Sequence, residues 1–234
     1  YDAIAAFNSA LLIAPDYIGA LNNKGNALQS LGNLQAGLRE FEDDAKQSYY
    51  DAIAACNSAL LIAPDSIAAL NNKGKALQSL GELQAGLSEF EAAKQSYYDA
   101  IAACNSALLI APDSIATLNN KAIALQSLGD LQAGLSEFED AKHSYSEAIS
   151  ACNSALLIAP DDIAALNNKG KALLRLGMLQ AKLSEEQEAL KNWQEALEML
   201  NRSLAIAPND DSVRSGRDAL QEFLDNLGDN TVSS

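Results

Sequence analysis

The sequence predicts an all-α solenoid of tandem helix-turn-helix repeats. Three observations carry this: a proline-ended phrase at a fixed period, apolar residues at helical steps, and stop signals at matching places. Leu-Ile-Ala-Pro ends at Pro15, Pro64, Pro112 and Pro160, and Ala-Ile-Ala-Pro ends at Pro208, which uses all 5 prolines of the chain. The intervals are 49, 48, 48 and 48 residues. Residues 65–112 and 113–160 agree at 39 of 48 positions, so the copies should fold alike, each leaning on its neighbours.

The copies divide the 234 residues into a partial repeat at 1–15 (a second helix only) and full repeats at 16–64, 65–112, 113–160 and 161–208. A capping helix at 209–228 and a tail at 229–234 follow. Tyr1 aligns with Tyr50 and Tyr98, so the chain is expected to begin inside a second helix, with sequence missing upstream.

In the first helix of the second repeat, Ile67, Leu70, Leu77, Leu80, Leu83 and Leu87 step by three, four and seven. Phe90, Tyr97, Ile101, Cys104 and Leu108 do the same in the second helix. Such steps gather side chains on one helical face, whereas a strand alternates every second residue. Gly74 and Gly81, and Ala93, Ala100 and Ala107, recur every seventh residue, small enough to let the helices approach closely. Asp65 before Ser66 is the expected cap of the first helix, and Pro64 stops the helix before it. Ser88-Glu-Phe-Glu91 has the form of a capping box, repeated at Ser136 and Ser184, with Arg39 in the first copy. Two helices of roughly 20 residues per repeat follow; a turn at Gly81-Glu82, giving three shorter helices, is the alternative. In the terminal segment Val213, Leu220, Phe223, Leu224 and Leu227 form one apolar stripe, and Gly228 is the expected stop.

These residues resemble the tetratricopeptide repeat, a helix-turn-helix family with a 34-residue period. Leu70, Gly74 and Leu77 fall in its first-helix slots, and Ala100, Cys104, Ala107 and Pro112 match the tail of its second helix. Leu21, Gly25, Leu28, Ala52, Cys56 and Pro64 repeat the pattern, as do Leu166, Gly170, Ala196, Leu200 and Pro208. The resemblance implies a right-handed superhelical solenoid whose first helices line a concave groove that contacts an extended peptide. Two features depart from the family. Lys24, Lys73, Lys121 and Lys169 stand where it favours leucine, and the repeat is longer by about 14 residues, or two heptads, which lengthens each helix while keeping every slot on its face.

Composition narrows the function. Asp and Glu total 31 against 16 Lys and Arg, a net charge of −15, which argues against nucleic acid and anionic membranes as partners. No apolar run approaches the roughly 20 residues needed to span a bilayer, and no basic-then-apolar leader opens the chain. Cys56, Cys104 and Cys152 share one slot and read as small buried residues; their odd, unpaired number fits a reducing, cytoplasmic compartment. The single histidine, His143, replaces Gln47 and Gln95 and has no repeating nucleophile or carboxylate beside it. Trp193 takes the slot of Tyr97 and Tyr145 and reads as packing. No metal-ligand spacing and no phosphate-cradling loop occurs. The sequence therefore points to a non-enzymatic protein without a cofactor.

The phrase Leu-Asn-Asn-Lys-Gly-x-Ala-Leu-Gln-Ser holds the candidate site. Asn22, Asn23, Asn26 and Gln29 are its polar face in the first copy, and Asn71, Asn72, Lys75 and Gln78 in the second. Asn119, Asn120 and Gln126, then Asn167, Asn168, Lys171 and Arg175, follow in the third and fourth. On the resemblance these are peptide-binding residues. Asparagine suits the task because its amide both donates and accepts, and mid-helix asparagine otherwise costs about 0.5 kcal/mol relative to alanine. Hydrogen bonding between repeats, or simple inheritance by recent duplication of near-identical copies, is the alternative account of the same residues. Residues 66–81 contain Lys73 and Lys75 but no acid, and acids gather from Glu82 to Asp99, expected on the opposite side. A peptide carrying Asp, Glu or a free C-terminal carboxylate is the expected ligand. Self-assembly into a homo-oligomer through uncapped repeat ends, or a passive spacer for a catalytic domain outside the chain, are the rival readings.

Overall fold

The computed structural model describes residues 2–38 and 41–232. The expectations for Tyr1 and Arg39 fall outside the described residues. The chain forms two compact units, Tyr1–Leu131 and Gln132–Ser234. In the first, α1 (Asp2–Ile13), α2 (Ile18–Ala36), α3 (Glu42–Ile62), α4 (Ile67–Gly86) and α5 (Phe90–Ile110) follow one another, and α6 (Ile115–Gly134) completes it. The second unit holds the end of α6, then α7 (Phe138–Ile158), α8 (Ile163–Lys182), α9 (Glu186–Ile206) and α10 (Asp211–Val232). No strand occurs among the described residues. The fold is all-α and built of helix-turn-helix pairs, as the periodicity predicts; α4 runs unbroken through Gly81-Glu82, so each copy has two helices.

The pairs are antiparallel, and glycines set their separation. A Cβ on Gly25 would meet Cys56 Sγ at 2.9 Å, and one on Gly32, seven residues on, would meet Tyr49 Cε1 at 2.6 Å. Advancing along α2 thus retreats along α3. Gly74 and Gly81 face Cys104 and Tyr97 in the same way, and Gly170 and Gly177 face Leu200 and Trp193. Each aromatic ring fills the space that a side chain on its glycine would need. Tyr49, Tyr97 and Trp193 are buried, while the neighbouring Tyr50 and Tyr98 are exposed. Cys56, Cys104 and Cys152 are buried and unpaired, and burial pushes their thiols up to about 11, 11 and 12.

A polar tie repeats near each hairpin turn. Ser48, Ser96 and Ser144 donate to Gln35, Gln84 and Gln132 at 2.7 Å, and Asn192 donates to Gln180 at 2.6 Å. Adjacent pairs are joined by ions: Lys46 meets Glu89 at 2.6 Å in the first unit, and Lys142 meets Glu185 at 2.8 Å in the second. At the end of the second unit α10 packs Val213, Leu220 and Leu224 onto the cluster of Leu166, Leu173 and Trp193, and Phe223 meets the Trp193 ring edge-on at 4.9 Å.

Three local expectations are corrected. The cap of α4 is Ser66, not Asp65: Ser66 is extended, and its side chain accepts from Ala69 N. Asp162 caps α8 from the same position, one residue past the Pro-Asp turn. The serines of the supposed capping boxes do not start helices. Ser88, Ser136 and Ser184 have φ of 63°, 64° and 63°. Each ends the preceding helix in a Schellman motif, in which Ser88 N donates to Ala85 O and Glu89 N to Gln84 O. Finally, α10 passes Gly228 and continues to Val232, because a helical glycine costs only about 1 kcal/mol and none here turns left-handed.

Candidate peptide-binding groove

The polar stripe of each first helix repeats every three to four residues, so its members rise along one face. In the first unit this face opens into a groove of about 940 Å³. It gathers four of the expected residues: Gln29 from α2, Lys75 and Gln78 from α4, and Asn120 from α6. Asn33, Ser79, Glu82, Tyr49, Glu42 and Ile123 also line it, and the sequence reading missed these. Asn33 and Glu82 lie eleven residues after Asn22 and Asn71, three helical turns further along the same face. That register was the signal available. The acid-free window of residues 66–81 stopped one residue short of it. Glu82 therefore lies in the groove rather than on the opposite side, and the first unit's groove is not uniformly basic.

The asparagine pairs divide their work. Asn72 Nδ2 donates to Asn22 O at 3.3 Å, and Asn120 Nδ2 approaches Asn71 Oδ1 at 3.5 Å. The second asparagine of a pair thus reaches back to the first asparagine of the preceding copy. Asn23 and Asn26 are exposed. Gln29 donates to Ser79 at 3.2 Å, a further link between copies. Gln126 donates to Ala122 O within its own helix. Asn119 and Asn168 are buried. The Oδ1 atoms of Asn22 and Asn167 are buried and accept no hydrogen bond among the described residues.

Charge differs between the units. Lys75 is exposed in the first, and Glu82 accepts from Gln78 Nε2 at 2.6 Å and from Ser127 Oγ at 3.4 Å. The Glu82 side chain is exposed, yet desolvation by the surrounding groove wall raises its carboxyl above the usual range, and those two hydrogen bonds act the other way. On α8 of the second unit, Lys171, Arg175 and Met178 are exposed, and Met178 holds the register of Glu82. Lys169 is not free for a ligand: it is buried and pairs with Glu195 at 2.7 Å, a partner the sequence did not reveal because it lies on the facing helix.

His143 is exposed and 3.7 Å from Glu147. Among the described residues no group of acids, histidines and cysteines is arranged to hold a metal, and no helix is long and apolar enough to cross a membrane.

No family model and no curated protein sequence matches the chain. Solved structures do. TTC0263, a thermophilic TPR protein of Thermus thermophilus, is similar at 16% identity over 93% of this chain and 88% of that one, with a TM-score of 0.55. A MamA RS-1 ArsTM double mutant is similar at 18% identity over 85% and 83%, with a TM-score of 0.50. At these identities the likeness shows the fold alone, a helical array of the tetratricopeptide type.

Proposed function

We propose that the chain is a protein-interaction scaffold whose first helices bind an extended peptide segment. The single observation behind this reading is the groove of about 940 Å³, in which side-chain amides from three successive first helices converge. An extended segment presents alternating N–H and C=O groups, and amides can pair with either. The repeats at 16–64, 65–112, 113–160 and 161–208 would be the units of this scaffold, and buried, unpaired cysteines suit a cytoplasmic setting. In the second unit, Lys171 and Arg175 on α8 would favour an Asp, Glu or C-terminal carboxylate of the ligand.

Selection of a random peptide library on the full chain tests this. Recovered peptides should lose roughly tenfold in affinity for the Gln29→Ala, Gln78→Ala double variant, the loss expected from removing one or two ligand hydrogen bonds. Affinity unchanged by that variant would refute the groove.

A second reading rests on α1, which has no buried residue and leaves Leu12 and Ile13 more than four-fifths exposed. Self-association through this apolar surface would show as a mass that rises with concentration and is abolished by Leu12→Glu.

A further inference from the structure

We propose that Glu82 seats a basic side chain, arginine or lysine, of the segment bound in the first unit's groove. The proposal rests on the peptide-groove reading above and names what that groove selects. Glu82 differs from Glu89 of the same unit, which is engaged by Lys46 of the preceding copy at 2.6 Å. Glu82 has no cation partner among the described residues. Its two hydrogen bonds, from Gln78 and Ser127, both reach Oε1, leaving Oε2 with an unused acceptor in the groove wall. Two neutral donors on one oxygen hold the carboxylate in place without neutralising it. Glu42 lines the same groove and adds negative charge. Lys75 lies seven residues earlier, two turns or about 10 Å along the helix, too far to pair directly.

The surroundings suit a long basic side chain. Leu83 and Leu87 line the groove beside Glu82, and Ile123 joins them from α6. Apolar walls with one carboxylate accept the methylene stem of arginine or lysine while its charged head meets Oε2. Lys75 would then face a polar or acidic neighbour in the same ligand, so the groove reads a charge order rather than one net sign.

Peptide selection on the wild-type chain and on Glu82→Gln, each checked by thermal melting, tests the proposal. Wild-type selection should enrich Arg or Lys at one position, and that enrichment should vanish on Glu82→Gln. A wild-type peptide should bind Glu82→Gln roughly tenfold more weakly, and Glu82→Lys should favour Asp or Glu at that position. Equal enrichment on wild type and Glu82→Gln, or peptides without a basic position, would overturn the proposal and leave the groove reading standing. Recovery of no peptide at all would overturn both.

Discussion

A Cβ placed on Gly81 would stand 2.7 Å from Cε1 of Tyr97, closer than carbon atoms tolerate. Tyr97 is buried and cannot swing away, so this glycine serves packing. Gly81→Ala should lower stability by about 1–3 kcal/mol, overpacking outweighing the gain in helix propensity. Gly86, in the same helix, has nothing within 4 Å of its Cβ position, and Gly86→Ala should stabilise by up to about 1 kcal/mol. Urea denaturation of the two variants should therefore shift in opposite directions. The smaller clash at Gly74 fits Ala122 occupying the same register in the next copy.

The left-handed serines make a second test. Ser88, Ser136 and Ser184 adopt a conformation that costs a residue with a Cβ about 1 kcal/mol or more, a cost glycine escapes. Each serine-to-glycine change should raise the unfolding midpoint. A capping role would instead make each change destabilising.

The asparagine ladder separates structure from binding. Asn72→Ala removes a bond between copies and should cost about 1 kcal/mol. Asn23→Ala, at the exposed position, should stay within about 0.5 kcal/mol of wild type. Equal losses in the two variants would contradict the ladder.

Alkaline pH should weaken the protein through its thiols. Folding raises the thiol pKa values from 9.0 to about 11, 11 and 12. The unfolded chain releases these protons first. The corresponding stability is thus fully present below pH 9 and is lost as pH rises through the folded values. Burial also raises Tyr49, to about 12, and adds to the loss. A Cys56→Ala, Cys104→Ala, Cys152→Ala variant should be less stable at neutral pH yet show a flatter decline above pH 9.

The helices were legible because periodicity reports which face is buried, and the near-identical copies displayed the same face repeatedly. The turns were less so. Ser88-Glu-Phe-Glu91 fits a capping box in letters, but the deciding quantity is the sign of φ at Ser88, which the sequence does not carry. Residues on α4 could be assigned to the groove from register, yet Glu82 was lost by reading charge over a window instead of along the face. Lys169 shows the remaining limit. Its engagement by Glu195 depends on how α8 meets α9, a relationship between residues far apart in sequence.

Cross-linking of a selected peptide to the wild-type chain tests the central claim most directly. With a photoreactive group at the peptide's centre, the adducts should map to α2, α4 and α6 around Gln29, Lys75, Gln78 and Ile123. Adducts confined to the exposed ends of the second helices, at Leu61 and Leu109, would contradict the groove and move the binding surface to the other side of the repeats.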